Sequence, residues 1–317
     1  MQATLNIKRY ILHLALLCLC CAVVPAGRAT AGEILIVLSQ DIASYKETAR
    51  AISQHLSLQI DQTTAEQISE EDEPLPLGQY RYIIAVGAKA TREVLNSPLT
   101  APLISTFIPR RTYQQILSEN PLHPLISSQQ TTAVYLDQPL ARQIRLARLI
   151  SPRAKRLSTA LGPDSSKDLA LLKQAAEAQQ MVLSHALLEQ DSNPIRQLQP
   201  LIENSDMFLT LPDRAVFNRT TAKWILYISF RQRVPLIGFS RKYVEAGAIA
   251  GVFSEPEQIG RQTAELINQL PAQPGQLPPP AVPKYFTVET NETAAHSLRM
   301  PIPAADVLET ALEEAER

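Results

Sequence analysis

The sequence predicts an α/β protein that folds as two lobes, each built on a parallel, doubly wound sheet. Short continuous apolar runs, such as Glu33–Ser39 and Tyr80–Gly87, have the length of strands that are covered on both faces. Segments with helical spacing, such as Ser44–Leu56, alternate with these runs, and such alternation produces parallel sheets flanked by helices. About ten strands are predicted, and the pattern restarts near Asp137, which favours two sheets over one wide sheet.

The remaining predicted elements follow in a regular order. A third strand covers Ala101–Phe107 and a fourth covers Thr131–Asp137. Residues 108–130, between them, are rich in Pro, Ser and Gln and are predicted to form a partly helical surface segment. Further strands are predicted at residues 156–164, 181–188, 206–213, 234–240, 248–254 and 284–290. Helices fill the intervals, and two of them are predicted to begin at the N-caps Ser165 and Asn218.

Composition argues against several classes of function. The formal net charge is −1 and no basic stripe is present, so we expect no nucleic-acid partner. Aromatic residues make up only 5% of the chain, which argues against a broad stacking platform for bases or sugars. The histidines have no metal-binding spacing, and no dinucleotide fingerprint, phosphate-binding lysine loop or Gly-x-Ser-x-Gly motif occurs. We therefore expect no metal, no cofactor and no catalytic residues.

The N-terminal segment is predicted to be a secretory signal peptide covering residues 1–31. Lys8 and Arg9 precede an apolar run over residues 11–24, and the small residues of Ala29-Thr30-Ala31 complete the pattern. A membrane anchor needs about 20 apolar residues, more than this run provides. Lipidation is disfavoured because no small residue precedes any of the three cysteines, Cys18, Cys20 and Cys21. Cleavage after Ala31 predicts a cysteine-free protein in the periplasm.

Three motifs in the second half of the chain suggest a family. They are "LTLPDRAVFNRTTAKWIL", "VPLIGFSRKYVEAGAIAGVFSEPEQIGRQTAELI" and "KYFTVETNETAAHSLRMPIP", in that order. From about Asp137 to Pro303 the chain resembles the periplasmic substrate-binding proteins of ABC transporters, in a group with tryptophan- and tyrosine-binding-like members. The resemblance implies the type I periplasmic-binding-protein fold, with two Rossmann-like lobes joined by three crossing strands and a small ligand between them.

The resemblance also implies where the lobes begin and end. Crossings are expected near Asp137, Gly247 and Tyr285. The first lobe would then hold residues 32–136 plus 247–283, and the second would hold residues 137–246 plus 284–317. Family members usually have a glycine-rich stretch that contributes to the pocket of the first lobe. The corresponding residues here, 108–130, contain no glycine, which is a departure from the family pattern.

Ligands of open α/β sheets bind outside the carboxyl ends of the strands, which selects several candidate contacts. Ser39, Thr106 and Ser240 each follow a predicted strand and offer a hydroxyl, although each is also an ordinary residue for a strand end. Gly87 and Ala88 form a strand-to-helix turn whose free N–H groups suit an anion, and a tight turn alone would also explain the glycine.

A second group of candidates surrounds the "LPDRAVFN" stretch. Pro212 cannot continue a central strand, so the chain must turn and Asp213 is either a ligand-binding carboxylate or a turn residue. Phe217 is either an apolar wall of the pocket or a packing residue before the N-cap. Asn218 is a cap that could also contact the ligand, and Asp137 is a ligand contact or a residue that fixes the hinge.

These observations predict an exported solute-binding protein that captures a small ligand between two lobes. The resemblance implies delivery to the membrane permease of an ABC-type importer, and an amino acid is the family-level candidate for the ligand. We expect a monomer that binds without catalysis. The alternative is a periplasmic sensor or accessory subunit on the same fold that reports to a membrane receptor, and the altered segment 108–130 favours it. A small hydrolase is disfavoured because no nucleophile is paired with a base.

Overall fold

The computed structural model of the chain describes residues 33–70, 80–97, 101–188, 194–271 and 275–316. The predicted signal peptide and its three cysteines lie outside the described residues. Within the described ranges, no helix has both the length and the apolar character needed to cross a membrane.

Five parallel strands form the first sheet in the order β2-β1-β3-β4-β5. They are β1 (Ile34–Leu38), β2 (Ile60–Thr64), β3 (Tyr82–Val86), β4 (Leu103–Ile108) and β5 (Thr131–Tyr135). The sequence did not predict β2, because Ile60 is the only apolar residue in its "IDQTT" sequence and the strand lies half-exposed at the edge of the sheet.

Helices cover both faces of the first sheet, which explains the continuous apolar runs of its central strands. Ile36 of β1 lies in the core with Ile52 on one face, and Val37 lies in the core with Val94 on the other. The helices of this part of the chain are α1 (Ala43–Gln54), α2 (Ala65–Glu70), α3 (Ala88–Asn96), α4 (Arg110–Glu119) and α5 (Pro124–Ser127). The predicted surface segment 108–130 is thus a helical crossover from β4 to β5.

The second sheet has six strands in the order β11-β10-β9-β8-β6-β7, and β11 alone runs antiparallel to its neighbour. They are β6 (Arg156–Leu161), β7 (Val182–Leu187), β8 (Met207–Leu209), β9 (Leu236–Gly238), β10 (Ala250–Phe253) and β11 (Thr287–Thr290). The helices are α6 (Leu140–Ile150), α7 (Leu169–Ala178, after a 3-10 turn at Ser165–Asp168), α8 (Pro194–Glu203), α9 (Arg219–Gln232), α10 (Arg241–Glu245), α11 (Pro256–Gln269), α12 (Glu292–Leu298) and α13 (Ala305–Glu314).

Helix α11 follows a strand of the second sheet but covers the first sheet. It packs against α1, where a Cβ atom added at Gly260 would lie 2.5 Å from the carbonyl oxygen of Thr48. Glycine is therefore required for the close approach of the two helices. Ile267 of α11 joins the same core as Ile52 of α1, so the helix completes one face of the first sheet.

The chain passes between the two sheets at three places. It leaves β5 and enters α6 around Asp137, and it returns to the first sheet after Phe253. Ala281 then pairs with β5 before the chain enters β11 of the second sheet. The second crossing differs from the predicted one near Gly247, since residues 250–253 pair with β9 and β11 and not with the first sheet. A short apolar strand has the same sequence pattern in either sheet, so its partner is decided only by tertiary packing.

Buried hydrogen bonds connect the three crossing segments. The Gln138 Nε2 atom donates to Ser254 Oγ at 2.7 Å, and Ser254 Oγ donates to the Tyr285 carbonyl oxygen at 2.6 Å. The Arg142 guanidinium donates to Gln138 Oε1 at 2.6 Å and to the Pro283 carbonyl oxygen at 3.0 Å. One polar network therefore includes a residue from each crossing, which fixes their spacing.

Candidate functional site

At the carboxyl end of the first sheet, Ser39 and Gly87 organise the amino terminus of α3. Ser39 Oγ accepts a hydrogen bond from the N–H of Ala90 at 2.9 Å, so this buried hydroxyl acts as a cap for α3. Gly87 has φ = 90°, and an added Cβ would lie 2.6 Å from Ser39 Oγ. The N–H of Ala88, at the first helical position, has no partner within the described part of the chain. Of these three candidates, Ala88 retains a donor for a ligand.

Thr106 is directed into the protein and not towards a cleft. Its hydroxyl lies 2.7 Å from Thr263 Oγ1 on α11, and the Thr263 hydroxyl donates to the Ile259 carbonyl oxygen. Thr106 is fully buried, and its carbonyl oxygen accepts a hydrogen bond from the N–H of Gly87 at 2.9 Å. In this structure it joins α11 to the sheet.

An aromatic pair that the sequence did not reveal lies at the same edge. Tyr45, at the start of α1, and Phe107, at the end of β4, are both half-buried and meet edge to face with their ring centroids 5.9 Å apart. Phe107 has φ = 53°, and the register between β4 and β5 shifts between Thr106 and Ile108. A bulky residue with positive φ is rare and strained, and such strain is concentrated at functional sites. The Tyr45 ring also lies next to Gly87, because a Cβ atom added at Gly87 would be 3.0 Å from it.

Asp213 is buried at the carboxyl end of the second sheet and is engaged by its own chain. Its Oδ2 atom accepts hydrogen bonds from the Ser165 N–H at 2.8 Å and the Ser165 hydroxyl at 2.7 Å. Its Oδ1 atom accepts from the Ala215 N–H at 3.1 Å. Ser165 Oγ also accepts from the N–H of Gly162, so the carboxylate connects the loop after β6 to the loop after β8. This arrangement matches the turn-residue alternative for Asp213.

A cluster of three aromatic rings lies beside the loop of Asp213. Phe217 contacts Phe239 and Tyr243 edge to face, with centroid separations of 6.4 Å and 6.3 Å. Phe239 follows β9 directly and is half-buried, whereas the other two rings are buried. Burial raises the pKa of the Tyr243 hydroxyl. Phe239 is the ring in this cluster with surface left for a ligand, and its position directly after an apolar strand is a signal that sequence reasoning could have used.

Asn218 and Ser240 begin helices of the second sheet, and only Asn218 is used as a cap. Asn218 Oδ1 accepts hydrogen bonds from the N–H groups of Thr220 and Thr221, both at 3.0 Å. Ser240 is half-buried and precedes α10, but its hydroxyl makes no capping bond. Within the described chain the Ser240 hydroxyl has no partner, so it is free to bind a ligand.

Asp137 lies at the first crossing and contacts α4 of the first sheet. Its Oδ2 atom accepts a hydrogen bond from the N–H of Arg110. Burial raises the pKa of the Asp137 carboxyl, against the opposing effects of the Arg110 N–H and guanidinium. The carboxylate is thus held at the connection between the sheets, as the hinge alternative for Asp137 requires.

Arg110 and Arg111 also reach across to the second sheet. Arg110 Nη2 lies 2.7 Å from Asp168 Oδ1, and Arg111 Nε donates to Asp168 Oδ2 at 3.0 Å. The arginines begin α4 directly after β4, and Asp168 ends the 3-10 turn that follows β6. These ion pairs therefore bring the carboxyl ends of the two sheets together. Sequence reasoning missed all three residues, because the partners are separated by more than 50 positions.

The arrangement is suited to binding. Within the described residues no cluster of His, Cys, Asp or Glu could hold a metal ion. Among the side chains with free surface or free polar groups at the two carboxyl edges are Tyr45, Phe107, Phe239 and Ser240, and the N–H of Ala88 is also free. Two α/β sheets joined by three crossings, with such groups at their carboxyl ends, have the architecture of a protein that holds a ligand between two sheets.

A family model described as ABC transporter substrate binding protein matches residues 44–314. The chain belongs to this family, and the resemblance predicted from the three sequence motifs is confirmed. No curated protein matches the chain at a significant level.

Solved structures confirm the type I periplasmic-binding-protein fold. The ligand-free, open structure of CD0873, a substrate binding protein with adhesive properties from Clostridium difficile, has a TM-score of 0.66 at 15% identity and covers 86% of this chain and 96% of that chain. An ABC domain from Streptococcus pneumonia in complex with L-Trp has a TM-score of 0.56 at 15% identity, with 87% and 98% covered. A conserved domain protein from Vibrio cholerae has a TM-score of 0.57 at 20% identity, with 87% and 97% covered.

Proposed function

We propose that this protein is an exported solute-binding protein that captures a small ligand between two lobes and delivers it to an ABC-type importer. The observation that carries the proposal is the contact of Arg110 and Arg111 with Asp168, which brings together two sheet edges that both carry partly exposed aromatic rings. A ligand between these edges would contact both sheets at once. Residues 33–136 and 255–283 would form one lobe, and residues 137–254 and 284–316 would form the other.

The side chains at the edges favour a small ligand with a flat apolar part. Tyr45 and Phe107 on one side, and Phe239 on the other, offer ring surfaces for stacking or edge contacts. The N–H of Ala88 at the start of α3 suits a carboxylate or another acceptor, and the Ser240 hydroxyl can donate or accept. The similar Streptococcus structure contains L-Trp, so aromatic amino acids are the first ligands to test.

Binding without catalysis fits the polar groups of the site. The serine–carboxylate pair of Ser165 and Asp213 is buried, and no histidine joins it among the described residues. A nucleophilic serine needs a base that can take its proton, and Asp213 is already occupied by N–H donors. We propose that the work of the protein is ligand capture and lobe closure, with ligand binding shifting an equilibrium between open and closed forms.

A thermal-shift screen tests the proposed function. Amino acids, nucleosides, sugars and inorganic anions are added to the purified protein, and a ligand that binds the folded state raises its Tm. At 100-fold excess over Kd the stabilisation is about 2.7 kcal/mol. We expect an aromatic amino acid to raise Tm in the wild type and to do so less in Phe239→Ala. Phe230→Ala is the matched control, because Phe230 is an exposed ring on α9 outside both carboxyl edges.

Three results would count against the proposal. The first is a panel in which no compound raises Tm, and the second is a ligand whose effect is the same in Phe239→Ala and in the wild type. The third is a purified protein that converts a panel compound to a product.

Export is tested separately by mass spectrometry of the protein recovered from the periplasm, which should begin at Gly32. Binding of the loaded protein to neutral phosphatidylcholine membranes that carry a permease, and not to those that carry a receptor, distinguishes delivery from sensing.

A further inference from the structure

Helix α9 presents an exposed row of aromatic side chains on the surface of the second sheet. Trp224, Tyr227 and Phe230 are 40%, 52% and 60% exposed, and their spacing of three places them on one face of the helix. The opposite face is buried through Ile225 and Ile228. Trp224 meets Tyr227 edge to face at 6.0 Å, so the rings form one contiguous surface. The largest contiguous apolar patch on a monomer is often functional.

Cations are interspersed with the rings on the same face. Arg219, Lys223 and Arg231 are exposed, and α9 contains no acidic residue. The Arg231 guanidinium donates to the Tyr227 hydroxyl at 3.1 Å and lies 5.8 Å from the ring centroid. No ion pair joins these three cations to an acid in the part of the chain that the structure describes, although the whole chain has a net charge of −1. The face formed by these six residues thus carries three cations without an ion pair in the described chain, and Glu245 lies in the adjoining groove that Tyr227 and Phe230 line.

We propose that this face of α9 docks on the surface of a membrane that contains anionic phospholipid. Arg and Lys side chains are attracted to anionic headgroups, and Trp and Tyr prefer the boundary between headgroups and acyl chains. The cations and rings share the exposed face of α9, so the cations can reach the headgroups while Trp224 and Tyr227 lie at the depth that such rings prefer. The inference goes beyond ligand capture, and it uses none of the groups proposed above to contact the ligand, which are Tyr45, Phe107, Phe239, Ser240 and the N–H of Ala88.

The size and charge of the face favour a lipid surface over a protein partner. Three half-exposed rings offer on the order of 300 Å² of aromatic surface, since a ring of this kind buries about 150–250 Å² in full. A stable protein interface buries about 800 Å² on each partner, which is more than these rings offer. Aromatic residues and arginine are common in protein interfaces as well, so the three cations without an ion pair among the described residues are what favour an anionic lipid surface. A second copy of the chain meeting this face with its own would place unpaired cations against each other, which is repulsive.

The chain carries its own probe for this test, because Trp224 is the only tryptophan in the sequence. The protein is purified as the expression host processes and exports it. It is then titrated with vesicles of phosphatidylcholine alone or of phosphatidylcholine with 30% phosphatidylglycerol. With the anionic vesicles we expect the tryptophan emission to shift to shorter wavelength and to be quenched by brominated acyl chains. Added salt should weaken binding, because it screens the attraction.

Matched charge variants separate this face from a general effect of charge. The variant with Arg219→Gln, Lys223→Gln and Arg231→Gln should bind the anionic vesicles roughly a hundredfold more weakly, since each cation near such a surface contributes about fivefold. The control carries Arg153→Gln, Lys155→Gln and Lys173→Gln, which remove the same charge from exposed side chains elsewhere on the second sheet. The control should bind as the wild type does, and all three proteins should have similar melting curves.

Several outcomes overturn the proposal. Emission that is unchanged by anionic vesicles excludes a lipid surface as the partner, and binding that survives in the α9 variant places the contact elsewhere. If the tryptophan emission shifts only when a membrane protein is reconstituted in neutral lipid, the partner of this face is a protein and not the lipid surface. If the emission shifts with protein concentration when no vesicle is present, the partner of this face is a second copy of the chain. Each of these results leaves the ligand screen unaffected, so the two proposals fail independently.

Discussion

Arg110 and Asp168 form an ion pair in which Nη2 and Oδ1 are 2.7 Å apart, and this pair joins the two sheets at their carboxyl ends. Arg111 binds the other oxygen of the same carboxylate, and the N–H of Arg110 binds Asp137 at the first crossing. The segment that departs from the glycine-rich family pattern thus supplies two cations to the edge of the second sheet. Charge-assisted hydrogen bonds of this kind are shorter and stronger than neutral ones.

Asp168→Asn is expected to weaken the contact between the sheets. The loss of the carboxylate charge affects two arginines, so the free energy of unfolding should fall by about 1–3 kcal/mol. Small-angle scattering should show a larger radius of gyration for the variant than for the wild type without ligand. Asp206→Asn is the control, because Asp206 pairs with Arg156 inside the second sheet and its loss should leave the radius unchanged. An equal radius for all three proteins would show that the Asp168 pair does not hold the sheets together.

Asp213→Ala is expected to act first on stability. The substitution removes the acceptor of the Ser165 and Ala215 N–H groups and of the Ser165 hydroxyl, so the free energy of unfolding should fall by about 2–4 kcal/mol. Denaturant titration measures the change, and Asp164→Ala removes an exposed carboxylate nearby as a control. Unchanged stability combined with a ten- to hundredfold loss of ligand affinity would instead support a direct role in binding.

Ser240→Ala and Asn218→Ala are expected to have opposite effects. The Ser240 hydroxyl makes no capping bond, so its removal should lower ligand affinity about two- to tenfold and leave Tm unchanged. Asn218 caps α9, so its removal should cost about 1 kcal/mol of stability and leave affinity unchanged. Calorimetric titration beside a melting curve measures both quantities. A loss of affinity in the Asn218 variant without a loss of stability would make Asn218 a ligand contact.

Asp137→Asn is expected to stabilise the protein at neutral pH. Because the pKa of Asp137 is raised on folding, the folded state binds the proton more tightly, and the contribution of this carboxyl to stability falls as pH rises above about 4. Asparagine keeps an acceptor for the Arg110 N–H without the partly desolvated charge. Melting curves should therefore show a higher Tm than the wild type at pH 7, with the difference disappearing below about pH 4.

Asp206→Asn is expected to change Tm at pH 7 in the opposite direction to Asp137→Asn. Desolvation raises the pKa of Asp206, but the Arg156 side chain and the N–H groups of Lys155 and Arg156 outweigh it and leave the pKa lowered. Its stabilisation is present above about pH 4 and is lost as pH falls through the lowered pKa, so the variant should have a lower Tm at pH 7. A Tm for Asp137→Asn below that of the wild type at every pH would contradict a cost of desolvating the Asp137 charge.

The sequence by itself determined the class of fold. Runs such as "ILIVL" and "YIIAV" are apolar at every position because both faces of the first sheet are covered, and this composition is visible without coordinates. The N-cap role of Asn218 was also predictable, because a cap acts on the backbone two and three residues further along. The edge strand β2 escaped prediction because it has little apolar surface to bury.

Only the tertiary structure decided which polar groups are hydrogen-bonded within the protein and which are left for a ligand. Asp213, Ser39 and Thr106 had the residue types and positions expected of ligand contacts, yet each is engaged by a donor or acceptor from another segment. The Arg110–Asp168 pair and the pairing of β10 with β9 likewise depend on contacts between distant positions. Local patterns fix the period and the ends of elements, because those depend on nearby residues. The partners of a side chain depend on how whole elements pack, and no local pattern contains that information.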